Sequence, residues 1–187
     1  MTTKAQLLTI ADWDAMPLDD GNRYEIIEGE LFVSCSPGLT HQIVLSKLLG
    51  FIWDYLKTNP IGTVVPGPGL ILSKYSGVIP DLVFYRHDQT DTIIANDRLN
   101  GPPALVVEIL SPGAANTRRD RVAKLQLYAK HQVPEYWLVN PQSANVEKYG
   151  RQGSSLILEQ TLAADQILLT NALPGFSCRV GEFFSQF

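Results

Sequence analysis

Three residues of this 187-residue chain could together do phosphodiester chemistry: Asp81, Glu108 and Lys124. Glu108 interrupts an apolar run, Ala104-Leu105-Val106-Val107-Glu108-Ile109-Leu110, with proline at both flanks. The run reads as a buried strand, where a carboxylate is costly unless a hydrogen bond, a cation or a metal ion compensates. Asp81 follows Pro80 in a second apolar run over 78–85. Lys124 stands four residues after Asp120 in a helix-like stretch, so the two share a face. Carboxylates of this kind hold one or two Mg²⁺ ions, with Mn²⁺ as a substitute. Such ions neutralise phosphoryl oxygens and activate water, while a nearby lysine orients or deprotonates that water or stabilises the pentavalent charge.

Each candidate has a plainer reading beside it. Glu108 could pair with an arginine such as Arg118, Asp81 could cap a turn, and Lys124 could be a solvated helix lysine. Asp120 reads better as a helix charge or a partner for a cation than as a ligand. Glu28 either completes the acidic cluster or is a turn acid. His41, near the start of a long helix, either touches the cleft or serves local structure. Arg118, Arg119 and Arg121 either track phosphate or solvate a helix start. Trp13, Trp53, Trp137 and Tyr136 read as core or interface.

The elements that must position these residues follow from periodicity. A short helix over 9–17 has Thr9 as N-cap and stops at Pro17. A turn over 18–22 leads to a hairpin over 24–35 with its bend at Glu28-Gly29. Val44, Leu45, Leu48, Leu49, Ile52, Trp53 and Leu56 recur at helical steps, which predicts a helix over 40–57. Strand pieces at 63–65 and 70–72 flank a Pro-Gly-Pro-Gly kink, and 87–102 reads as a polar loop with one turn of helix. Residues 113–117 enter a second helix over 118–131, with Val122, Leu125 and Ala129 as its inner stripe. Strands are predicted at 135–140, 145–149, 156–158 and 176–180, with a short helix or coil over 180–184. The order suggests one mixed α/β domain over 1–187, its core at about 24–149.

Composition bounds the function. Hydrophobic content is 45% and charged content 18%, enough apolar material for a substantial core. No run approaches the ~20 apolar residues of a membrane span, and the N-terminus lacks a secretory apolar stretch. Cys35 and Cys178 make neither a disulfide framework nor a zinc pattern. They read as buried fillers in a reducing cytoplasm. A net charge of −4 argues against a protein that coats nucleic acid by charge alone, but not against an enzyme whose acids are neutralised by a metal. There is no Gly-x-Ser-x-Gly elbow, no Walker-type glycine loop and no paired His ligand motif.

The order of motifs resembles the Uma-two family of restriction-endonuclease-like proteins, within the PD-(D/E)xK nuclease superfamily. The resemblance rests on Pro80-Asp81, on Leu105-Val106-Val107-Glu108 before Ile109-Leu110-Ser111-Pro112, and on Arg119-Asp120, Lys124 and Tyr128. Val133-Pro134-Glu135-Tyr136-Trp137-Leu138-Val139, the Tyr24–Glu30 stretch and His41 add to it. It implies a restriction-endonuclease-like α/β fold: a mixed β-sheet core flanked by helices, with an N-terminal helix and hairpin and a C-terminal β extension. It also implies Mg²⁺-dependent cleavage of DNA, with Asp81 and Glu108 as metal ligands. The superfamily lysine belongs two residues after the second acid, where this chain has Leu110, so Lys124 from the following helix is its substitute. A homodimer is expected where both strands of a duplex are cut. The alternative is a catalytically inactive binding or assembly protein on the same scaffold.

Overall fold

The computed structural model describes residues 6–17, 20–113 and 118–185. The chain opens with α1 (Ile10–Asp14), capped by Thr9 and Asp12 in a reciprocal capping box. The hairpin of β1 (Asn22–Ile27) and β2 (Glu30–Cys35) turns through Glu28 and Gly29. Both turn residues have positive φ, 52° and 83°, the conformation of a tight two-residue hairpin turn. Then come α2 (Leu39–Thr58), β3 (Gly62–Pro66), β4 (Leu70–Ser73), β5 (Ser76–Val78) and β6 (Leu82–Arg86). The stretch expected as a polar loop holds α3 (Thr90–Ile93) and a small hairpin, β7 (Ile94–Ala95) with β8 (Arg98–Asn100). Asn96 and Asp97 supply positive φ at its turn.

The strand carrying Glu108 is β9 (Leu105–Ile109). A π-helical segment, Arg119–Lys124, runs into α4 (Leu125–Lys130). The expected entry to this helix at 114–117 lies outside the described residues, as do Leu18 and Asp19 of the first turn. The chain closes with β10 (Glu135–Asn140), β11 (Asn145–Gln152), β12 (Ser155–Ala163), β13 (Ile167–Leu169), β14 (Ser177–Arg179) and α5 (Gly181–Phe184).

Two six-stranded mixed sheets organise these elements. The core sheet runs β12-β11-β10-β9-β6-β3, with β9 and β10 parallel and the other pairs antiparallel. The second runs β2-β1-β5-β4-β8-β7. One face of the core sheet packs Val107, Ile109, Leu82 and Trp137 against Val44, Leu48 and Ile52 of α2. The other packs Val83, Val106, Tyr136 and Leu138 against Leu127 and Tyr128 of α4 and Ile27, Leu70 and Val78 of the second sheet.

Several expectations are corrected by this packing. The run over 78–85 is not one strand: β5 belongs to the second sheet and β6 to the core sheet, and Asp81 sits at the hand-over. Val122 is 46% exposed, so it is not on an inner stripe; the buried positions are Asp120, Lys124, Leu127 and Tyr128. The π-turn and the carboxylates waiting beneath it put charged residues on the sheet-facing side. Cys178 is buried as expected, but Cys35 is exposed. Trp137 and Tyr136 are core, whereas Trp53 is exposed.

Candidate active site

Asp81 is held where the chain crosses between sheets. The antiparallel register Leu82↔Val107, carried one pair further, sets Asp81 opposite Glu108. Asp81 Oδ2 accepts the Ile109 N–H at 2.8 Å, which fixes its carboxylate beside β9. Oδ1 accepts from Arg23 Nη1 at 3.2 Å. His41 Nε2 also lies 3.1 Å from Oδ1, off the line of a good hydrogen bond. Burial works against the Asp81 charge, but His41, Lys124 and the Ile109 N–H outweigh it and hold its pKa below the usual carboxylate value.

Glu108 alternates with Val106 and so faces the side of the core sheet covered by α4 and the second sheet. Its Oε1 accepts from Lys124 Nζ at 2.9 Å and from the Tyr128 hydroxyl at 2.7 Å. No hydrogen bond among the described residues reaches Oε2. Burial pushes the Glu108 carboxyl up to about 8; the Lys124 ammonium pulls it down, and Asp81, Asp120 and Glu25 push it up again. Lys124 is wholly buried, and its pKa is nevertheless raised: burial opposes the charge, but Glu108, Glu25 and Asp120 more than compensate.

The π-helical turn makes this meeting possible. Asp120, Lys124 and Tyr128 recur every four residues. An α-helix advances such positions around its axis, and a wider turn offsets that drift. Asp120 takes the Arg119 guanidinium at 2.8 Å and lies 3.9 Å from Lys124 Nζ. Its backbone carbonyl accepts the Tyr136 hydroxyl at 3.1 Å, which anchors the turn on β10.

A fourth acid completes the cluster. Glu25 of β1 is buried, with Oε1 2.8 Å from Lys124 Nζ and accepting the Ile79 N–H at 2.8 Å. It therefore ties both the lysine and the segment leading to Asp81. Its Oε2 is buried without a hydrogen bond, 3.7 Å from Arg119 Nε.

Above the cluster opens a cavity of about 670 Å³. Asp81, Glu108, His41, Arg23 and Arg119 line it, together with Ser111, whose Oγ is 3.4 Å from His41 Nδ1. Val33, Pro37, Leu39, Pro112 and Pro141 also line it, beside the polar Ser36, Thr40 and Gln142.

Asp81, Glu108, Lys124, Asp120, His41 and Arg119 thus come together. Glu28 does not: it stays at the hairpin turn, pairing with Lys130 and Ser76, and the acid that β1 brings to the cluster is Glu25. Arg118 is exposed, and Arg121 is bound to Glu147 Oε2 at 2.6 Å rather than facing the cavity. The partner of Glu108 is Lys124, not Arg118. Arg23 stands at the site as well, against Asp81. Alternation along β1 puts Arg23 and Glu25 on one face with Ile27, but both faces of the strand are buried at its end, so alternation alone did not single them out.

Among the described residues no group of three or more His, Cys, Asp or Glu side chains is arranged to hold a metal ion. The site offers no all-protein cage. Mg²⁺ usually takes only one or two carboxylates, with waters and substrate phosphate filling the remaining positions. Asp81 and Glu108 fit that demand: both are hard oxygen donors, no hydrogen bond among the described residues reaches Glu108 Oε2, and burial together with neighbouring negative charge disfavours the bare Glu108 carboxylate.

The profile of the family described as "Uma2: Putative restriction endonuclease" matches residues 10–181. This chain belongs to the Uma2 family. Among solved structures it is similar to a "putative nuclease belonging to DUF820 from Anabaena variabilis ATCC 29413", at 17% identity and a TM-score of 0.76, covering 95% of this chain and 97% of that one. That likeness establishes the restriction-endonuclease-like α/β fold for this Uma2 protein. The type IIG restriction endonuclease BpuSI aligns at 17% identity and a TM-score of 0.43, over 77% of this chain and 15% of that one, too loosely to build on. No curated protein matches. Among the described residues no helix is long and apolar enough to cross a membrane.

Proposed function

We propose that this Uma2 protein is a Mg²⁺-dependent DNA endonuclease that hydrolyses phosphodiester bonds, with Mn²⁺ able to replace Mg²⁺. One observation carries the reading. Asp81, just before β6, and Glu108, on the neighbouring β9, line the same cavity, with the Lys124 ammonium 2.9 Å from Glu108. In this reading Asp81 and Glu108 hold the ion. When bound, it supplies charge neutralisation at the phosphoryl oxygens and a more acidic water. Lys124 keeps its proton, because three acids surround it. It acts as an electrostatic stabiliser of the negative charge that develops at phosphorus, not as a base. Glu25 and Asp120 hold Lys124 and Arg119 in place, and Tyr128 orients Glu108. His41 and Arg23 fix the Asp81 carboxylate. Arg119 on the cavity wall, with Arg118 outside it, contacts phosphate. A homodimer serves where both strands of a duplex are cut, and a reducing cytoplasm suits the two free cysteines.

The test is DNA cleavage by the purified protein with Mg²⁺ or Mn²⁺. Asp81→Ala and Glu108→Ala are each expected to abolish cutting while circular dichroism stays as in the parent. Variants that cut like the parent would remove the assignment. The competing reading is an inactive binding or assembly protein. The observation in its favour is that Lys124 is enclosed by Glu25 and Glu108, with no face open to solvent. Parent protein that stays silent toward DNA with either ion would support it.

A further inference from the structure

The acids lie deep. Asp81 is 3% exposed and Glu108 2%, and both line the cavity of about 670 Å³ described above. A volume of that order suits a small-molecule-sized guest, about one or two nucleotides. A B-form duplex, whose major groove alone is about 12 Å wide, presents its phosphates on a convex surface too broad to descend into such a space. At the mouth two aliphatic side chains reach solvent: Leu39 is 77% exposed and Val33 51%. Exposed aliphatic side chains at that mouth can cover the apolar faces of unpaired bases, which a duplex keeps stacked.

We propose that this cavity takes DNA as a single strand, with unpaired bases against the Val33 and Leu39 rim and the backbone led down to Asp81 and Glu108. The inference rests on the nuclease reading for its chemistry and adds the class of substrate. Within a duplex, a strand must first be unpaired locally.

The experiment compares a fluorescein-labelled single-stranded DNA of about a dozen nucleotides with the same strand annealed to its complement. Binding is read by anisotropy with Ca²⁺, a hard cation that takes the same oxygen ligands, and cutting is read with Mg²⁺. The single strand is expected to bind at least about tenfold more tightly than the duplex, and to be cut faster. Leu39→Glu is expected to weaken single-strand binding by about tenfold. A glutamate at the first position of α2 suits the helix dipole, so helix content should be unchanged. Equal or tighter binding of the duplex, or a Leu39→Glu variant that binds like the parent, overturns the inference. A duplex cut faster than the single strand overturns it and leaves the nuclease reading intact. A single strand that binds as expected but is never cut supports it and removes the nuclease reading.

Discussion

At the scale of single residues, the centre of the protein is an ammonium among carboxylates. Lys124 has no solvent to screen it and no role in apolar packing that a methionine would not fill. What holds it inside is charge: Glu25 at 2.8 Å and Glu108 at 2.9 Å. A buried pair gains little over a well-packed apolar substitute, but removing one partner strands the other. Lys124→Met should therefore lower the unfolding free energy by roughly 3–5 kcal/mol in urea titrations. A loss below about 1 kcal/mol, the size typical of an exposed pair, would mean that the acids do not depend on the lysine.

At the scale of elements, the π-helical turn is the device that aligns Asp120, Lys124 and Tyr128 over β9 and β10. Deleting the exposed Val122 would shorten that turn and leave Asp120 and Lys124 three residues apart. Overall circular dichroism should barely change, while DNA cleavage should fall by about a hundredfold or more, as expected when a catalytic group is displaced by about an ångström. Undiminished cleavage would show that the wide turn is incidental. The same turn marks where the sequence stopped being informative. Asp81, Glu108 and Lys124 stood out because each breaks a local pattern: an acid after proline, an acid within Val-Val-Ile, a lysine one turn past an acid. Helix α2 and the hairpin were legible because their apolar spacing and turn residues are local signals. A π-turn leaves no such period, so Val122 reads as part of an inner stripe with Leu125 and Ala129; those two pack on the core, but Val122 is exposed. Glu25 was hidden for a different reason. It lies beside Ile26 and Ile27 in a strand end buried on both faces, and its value comes only from where the crossover at Ile79 passes. Glu28, the acid that looked freer to act, is spent on Lys130 at the turn.

At the scale of the whole molecule, a protein of net charge −4 gathers four carboxylates, Glu25, Asp81, Glu108 and Asp120, around Lys124, Arg23 and Arg119. Two sheets and the π-helical segment pack around them, and a cavity of about 670 Å³ is lined by Asp81 and Glu108. Glu108 bears the cost of this crowding, its carboxyl pushed from 4.5 up to about 8. The sign follows directly. A raised carboxyl favours the folded state most below its unfolded value, and that contribution is lost as pH rises through about 8. A cation must displace the same proton, so its affinity should climb by up to about tenfold per pH unit on approaching that value and level off above it. Titration of Mg²⁺ into the parent and into Glu108→Ala, by calorimetry at several pH values, is therefore the most direct measurement. The account predicts binding by the parent that strengthens toward about pH 8, and no binding by the variant. Binding of equal strength by both proteins, or parent binding indifferent to pH, would contradict it.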